Sequence, residues 1–273
     1  MSRVLLVQPS LQPPGGGNGV SNWMLQALRD EHEITALTWQ PTDVEAINRY
    51  YGTSLRDSDF TVRRLSASSR WPFRLMPTPL AHLRRCVMLR EARRIADGFD
   101  VVVTAHNEAD FGRRRAIQYV HYPWTYPRPA GDLRWYHPEL LVDAYYRGCA
   151  WFGDIDFDRL RANVTLANSA WTARLVEERL GVEARVLNPP IAGDFPESPW
   201  PERVDGFVCL GRFSREKRLG MIVEIVERVR ASRPGVVLSI VASRDDLEYE
   251  QEIRELVRDR DWATIHSGLA RDE

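Results

Sequence analysis

Among its 37 basic residues the chain has a single lysine, Lys217, against 36 arginines. Lys217 closes the heptad Gly211-Arg212-Phe213-Ser214-Arg215-Glu216-Lys217. A lysine supplies a compact ammonium on a flexible stem and meets a phosphate as a point charge, whereas arginine offers a rigid planar fork. The heptad directly follows an apolar run, Gly206-Phe207-Val208-Cys209-Leu210, and precedes a helix-periodic segment. A strand, a polar basic turn and then a helix is where open α/β sheets hold nucleotide phosphates.

A second cluster lies near the start. Gly15-Gly16-Gly17 falls between a first apolar run and a first helical pattern. Glycines there let backbone approach a ligand closely, and a helix N-terminus adds positive dipole for a phosphate or carboxylate. The spacing is not that of the dinucleotide fingerprint, so a plain entry loop is the competing reading. His121 ends the apolar run Ile117-Gln118-Tyr119-Val120, which places it at the carboxyl end of a strand, where such folds bind ligands. His106 ends the preceding run in the same way. For both, a packed, hydrogen-bonded histidine is the competing reading. Asp154-Ile155-Asp156-Phe157-Asp158 alternates carboxylates as a hard-cation site does. It follows no clear strand, so a helix cap or a solvated face is favoured and no metal site is assigned. Arg84, Arg85, Arg90, Arg93 and Arg94 concentrate on one segment, as a basic amphipathic surface meeting anionic lipid would, or as an ordinary solvated face. Trp124, Tyr126, Trp135, Tyr136, Tyr145, Tyr146 and Trp151 could line an acceptor pocket or pack between domains.

The elements that must position these groups alternate along the chain. Apolar runs predict strands at 4–7, 34–38, 60–65, 99–104, 116–121, 164–166, 207–210, 236–241 and 263–266. Helical spacing predicts helices over 20–28, 79–97, 169–180 and 246–257, and one after the heptad with Leu219, Ile222, Ile225, Val226 and Val229 on one face. Ser169 is placed to cap its helix and Gly181 to stop it. Such alternation predicts an α/β protein with parallel, doubly wound sheets. The segment 123–157 reads as irregular and aromatic.

Prolines at 189, 190, 196, 199 and 201 interrupt the pattern and mark a linker. We therefore expect a first domain over 1–190, a linker over 191–203 and a second domain over 204–273. A net charge of −1 gives no attraction to nucleic acid. Cys86, Cys149 and Cys209 lie far apart, as reduced structural thiols of a cytoplasmic protein do. No run reaches the roughly 18 apolar residues of a membrane helix.

The heptad resembles the G-R-x-x-x-E-K signature of family-4 glycosyltransferases, which have two Rossmann-like domains (GT-B). The glycine cluster, Val120-His121-Tyr122-Pro123, Ala167-Asn168-Ser169 and Asn188-Pro189-Pro190 agree with that family in order. The shorter His-Tyr-Pro run resembles that of mannosyltransferases acting on lipid-linked oligosaccharides. The resemblance implies a retaining, metal-independent transfer of a hexose, mannose among the candidates, from a nucleotide-sugar to a glycan or lipid-linked acceptor, with no cofactor. It implies that Arg212 and Lys217 hold the donor diphosphate, that Gly15, Gly16 and Gly17 lie near the phosphates and acceptor, and that His121 approaches the donor sugar. Fixed cations suit a departing diphosphate, on which negative charge develops. A cytoplasmic enzyme touching the inner membrane face peripherally would fit these partners. The family's second signature, two glutamates eight positions apart, lies beyond the end of this chain. We thus expect a second domain that is incomplete, its last strand 263–266 left with an exposed edge. The alternative is a truncated, non-catalytic homologue acting as a binding protein.

Overall fold

The apolar run at 4–7 becomes strand β1 (Ser2–Val7) and is buried on both faces. Leu5 and Val7 pack into one core with Met88, Leu89 and Ala92. Val4 and Leu6, one residue out of phase, pack into another with Leu25, Ile34, Ala36 and Ile47. The period of two sends alternate side chains to opposite faces, as a parallel strand covered by helices on both sides requires. The structure is a computed structural model and describes residues 1–74, 80–123, 139–191, 193, 199–243 and 245–267. It divides into two units, Met1–Ala192 and Gly193–Glu273.

In the first unit, β1 is followed by α1 (Gly16–Leu28), β2 (His32–Thr38), α2 (Val44–Tyr51), β3 (Thr61–Arg64) and α3 (Ala67–Arg70). Then come α4 (Ala81–Ala96), β4 (Val101–Thr104), β5 (Ile117–Val120), α5 (Glu139–Gly153), α6 (Phe157–Arg161), β6 (Val164–Ala167), α7 (Ala170–Leu180) and β7 (Arg185–Val186). The seven strands lie in the order β3-β2-β1-β4-β5-β6-β7, each neighbour pair parallel. The order reverses between β1 and β4, and in such sheets the crevice outside the strand ends at that point takes the ligand.

The glycine cluster differs from its expected form. Helix α1 begins at Gly16, so Gly16 and Gly17 are its first turn and only Gly15 precedes it. Helices α2, α3, α5 and α6 went unread. In α2, Asp43 accepts the Ala46 N–H and Gly52 adopts φ 66° as the C-terminal stop. In α5, the described part of the aromatic segment is helical through Gly153, with Leu140, Leu141 and Trp151 exposed. Trp124, Tyr126, Trp135, Tyr136, Pro79 and Pro196 lie outside the described residues. In α7, Ser169 caps by accepting the Thr172 N–H, and Gly181 closes the helix at φ 67°.

The second unit contains β8 (Gly206–Arg212), α8 (Leu219–Arg230), β9 (Val237–Ser243), α9 (Leu247–Val257) and β10 (Ala263–His266). Its three strands are parallel in the order β10-β9-β8. Leu238 and Ile240 of β9 pack with Phe213, Leu219, Val223, Val226 and Ile253. Val223 thus takes the buried place expected of Ile225, which is 50% exposed. The expected open edge of 263–266 is present, since β10 ends the described sheet; the exposed apolar side chains lie elsewhere. In β10, Ala263 and Ile265 pack against the core, whereas β8 leaves Phe207, Val208 and Leu210 at 47%, 74% and 79% exposure.

Candidate functional site

Each unit carries a strand-to-helix turn that ends in a helix without a side-chain cap. In the first unit, Gly15 holds φ 138°, a conformation closed to other residues, and no side chain caps α1. The α1 first turn contains no acidic residue, so its leading N–H groups and dipole are available to an anion. Tyr51 fixes the turn by donating its hydroxyl to the Gly15 carbonyl at 3.0 Å. Asn18 ties it to the strand end, accepting from Gln8 Nε2 at 2.8 Å and donating to the Gln12 carbonyl at 2.7 Å.

The structure brings the glycines and His121 together. A Cβ added to Gly17 would stand 3.1 Å from His121 Nε2, so only glycine lets the helix approach this closely. The imidazole Nε2 is 3.0 Å from the Ala105 carbonyl. A carbonyl accepts only, so Nε2 carries the hydrogen and Nδ1 is left as an acceptor. Burial lowers the His121 pKa, partly offset by that hydrogen bond, which keeps the ring neutral near pH 7.

The backbone of His121 is clamped as well. Its N–H and that of Tyr122 both donate to Asn107 Oδ1, at 2.8 and 3.1 Å. Asn107 holds φ 62° to do this. On the other side, Asn168 Nδ2 donates to the His121 carbonyl at 3.0 Å. His121 is therefore a packed histidine that still offers one ring nitrogen. Asn107 and Asn168 were missed as its supports. The signal for Asn107 was an Asn one residue after a strand-end histidine, a type that tolerates positive φ.

In the second unit, β8 ends at Arg212 and Phe213 anchors the turn, fully buried, with its N–H donated to the Ser243 carbonyl at 2.9 Å. Residues 215–217 form one 3-10 turn, Arg218 takes φ 49°, and α8 starts without a side-chain cap. Arg212 is shared between Glu216 and Asp245, 2.9 Å from each. Arg215 reaches both Glu252 oxygens, at 2.7 and 3.1 Å. Lys217 is exposed, and its stem lies along Gly211, 3.8 Å from where a Cβ would be. It makes no ion pair among the described residues. The turn thus holds an uncommitted ammonium beside the open N-terminus of α8, while Arg212 is neutralised by two carboxylates that an anion would displace.

The remaining candidates have structural partners. Asp156 caps α6 by accepting the Asp158 and Arg159 N–H groups. Asp154 pairs with Arg93 and Arg159. Both arginines also meet the fully buried Asp110, at 3.6 and 2.9 Å. Arg90 donates to the Phe152 carbonyl, and Arg85 is only 9% exposed. Much of the expected basic face of α4 therefore turns into the protein. Among the described residues no helix is long and apolar enough to cross a membrane. Cys86, Cys149 and Cys209 are free thiols, and Cys86 donates its S–H to the Cys149 carbonyl.

This double arrangement of parallel sheets matches solved structures. The fold is GT-B. The chain is similar to WaaG, a glycosyltransferase involved in lipopolysaccharide biosynthesis, with a TM-score of 0.59 and 14% identity over 98% of this chain and 70% of that one. It is similar to TarM of S. aureus, with a TM-score of 0.59 and 6% identity over 98% of this chain and 77% of that one. A glycosyltransferase from Rickettsia africae matches with a TM-score of 0.55 and 12% identity, over 97% of this chain and 68% of its own. No protein-family model and no curated protein matches the chain.

Proposed function

We propose that this protein is a glycosyltransferase that moves a hexose from a nucleotide-sugar donor to a glycan or lipid-linked acceptor. The observation that carries this reading is Lys217, an ammonium with no ion pair among the described residues, at an uncapped helix start after the strand of a GT-B second unit. A diphosphate there receives backbone N–H groups, helix dipole and one point charge together. Arg212 joins by exchanging a carboxylate for a phosphate oxygen. The first unit supplies the second half of the chemistry. The free N–H groups at Gly16 and Gly17 face an anion or a sugar oxygen, and neutral His121 accepts a hydrogen bond from a sugar hydroxyl through Nδ1. The TarM structure is a complex with Fondaparinux, alpha-GlcNAc-glycerol and UDP, and these ligand classes, a nucleotide and glycosides, support the same reading here. Fixed cations stabilise the charge on the leaving diphosphate, so the reading assigns no metal and no protein nucleophile.

The test is calorimetric titration of the 273-residue chain with UDP and with GDP, paired with transfer from radiolabelled sugar nucleotides. A charge-assisted hydrogen bond contributes about 1.5–3 kcal/mol, so Lys217→Ala weakens diphosphate binding roughly 10- to 100-fold. Unchanged binding in Lys217→Ala refutes the assigned role. Absence of turnover selects the alternative, a non-catalytic homologue acting as a binding protein for an acceptor or partner through its first domain.

A further inference from the structure

A cavity of about 180 Å³ opens on the α4 side of the first sheet, lined in part by Pro9, Trp39, Arg84, Arg85, Met88 and His106. Its walls are residues just past the carboxyl ends of β1, β2 and β4, so it lies at the reversal of strand order, where ligands of open α/β sheets bind. Neither the α1 turn nor His121 is among its lining residues. We propose that this cavity binds an anionic sugar unit of the acceptor, its phosphate or carboxylate on Arg84 and its ring on Trp39. The assignment rests on the glycosyl-transfer reading for the word acceptor, and on the cavity alone for the anionic sugar.

Arg84 is the deciding residue. Its guanidinium lies 5.7 Å from the Trp39 ring centre and 5.6 Å from that of Phe73. Those two rings meet edge to face at 5.2 Å. The corner formed by the two rings holds the cation in place without neutralising it. Arg84 has no ion pair among the described residues, and its Nε is buried without a hydrogen-bond partner. A buried N–H left unmade is costly, and an incoming oxyanion removes that cost.

The surrounding charges leave a surplus of one. Arg85, 9% exposed, faces the fully buried Glu108, and these two offset each other. His106 lines the cavity while staying exposed to solvent at its rim; its enclosure there and the neighbouring Arg85 charge both lower its pKa, so it adds a hydrogen-bonding group and no charge. Helix α4 begins at the cavity wall with no side-chain cap and no acid in its first turn, which adds to the positive end. The volume is below the roughly 300–1,000 Å³ of drug-sized sites, which suits one sugar unit with its anionic group. Trp39 supplies the flat apolar face on which a sugar ring stacks.

The experiment is calorimetric titration of the full chain with hexose 6-phosphate, glucuronate, neutral hexose and inorganic phosphate. Hexose 6-phosphate or glucuronate is expected to bind, and the tighter of the two names phosphate or carboxylate. Neutral hexose and inorganic phosphate are expected to bind at least roughly tenfold more weakly, since each satisfies only one half of the cavity. Arg84→Gln should cost the anionic sugar roughly 10-fold or more and leave thermal unfolding within a few degrees. Trp39→Phe should weaken both sugars and spare inorganic phosphate. Inorganic phosphate binding as tightly as the sugar phosphate overturns the proposal, and so does an Arg84→Gln variant that binds normally. The Lys217→Ala variant should bind the anionic sugar as the wild type does. Anionic-sugar binding without any sugar-nucleotide binding therefore refutes the transfer reading alone. Transfer that is indifferent to Arg84→Gln refutes the acceptor cavity alone.

Discussion

Gly16 and Gly17 are neighbours in the first turn of α1, and replacing each with alanine gives opposite results. A Cβ at Gly16 meets nothing within 4 Å, whereas one at Gly17 comes within 3.1, 3.4 and 3.6 Å of the His121 ring. Alanine gains about 0.5–1 kcal/mol over glycine inside a helix, so Gly16→Ala should stabilise by up to that amount. Gly17→Ala has the same gain, but the ring must yield by a few tenths of an ångström. The ring is held by its 3.0 Å bond to the Ala105 carbonyl, and its backbone by Asn107 and Asn168. Losing a neutral hydrogen bond costs about 0.5–1.5 kcal/mol, and overpacking about 1–3 kcal/mol. Gly17→Ala is therefore expected to lose about 1 kcal/mol net. The two variants then differ by about 1.5–2 kcal/mol, roughly 4 °C in the melting transition of a unit this size. Scanning calorimetry measures the gap, and the His121 ring proton shifts report whether the imidazole moved. Equal stabilisation by both substitutions would mean that His121 is not lodged against the helix start, and the described site would be wrong.

Asp110→Ala should cost about 2–3 kcal/mol, because it strips a fully buried carboxylate from Arg93, Arg159 and the Asp156 and Gly112 N–H groups and leaves only the exposed Asp154 to balance the two arginines. A urea midpoint shift worth less than 1 kcal/mol would refute that account. For pH, burial lowers the folded pKa of His121, partly offset by its hydrogen bond to the Ala105 carbonyl. The unfolded chain therefore binds more protons below about pH 6.5, and the stability His121 contributes is present above that value and lost as pH falls. His121→Asn should flatten the slope of unfolding free energy between pH 7 and 5, and an unchanged slope would show that His121 titrates normally in the fold.

Much of the architecture was legible because it rests on short-range rules. The apolar run at 4–7 is buried on both faces and therefore reads as a strand core. Ser169 and Gly181 cap and stop α7 with their own backbone and hydroxyl chemistry, so sequence alone placed that helix. Gly16 and Gly17 misled because glycine is a poor helix former. Their helical state comes from tertiary contacts by Gln8, Asn18 and Tyr51, which no local pattern announces. Helix α2 did announce itself, through its Asp43 cap, its Gly52 stop and an amphipathic span around the buried Ile47, and went unread because it is only 8 residues long. Arg84 read as one of five arginines concentrated on a basic or solvated face. Its aromatic neighbours, Trp39 and Phe73, come from elsewhere in the chain and could not be paired with it from spacing. Of the site itself, the residue types and their order were legible, but the carboxylates that occupy Arg212 were not.

The outer side of β8 has a practical consequence. The backbone edge of β8 away from β9 is paired with no strand among those described, and Phe207, Val208 and Leu210 on the faces of the strand are exposed. Such a margin recruits any extended segment that comes near, including the same margin on another molecule. Crowding the protein in a concentrator therefore favours sticking over solubility. Because the strand ends at Arg212, whatever adheres to it will also stiffen the ground on which Lys217 stands.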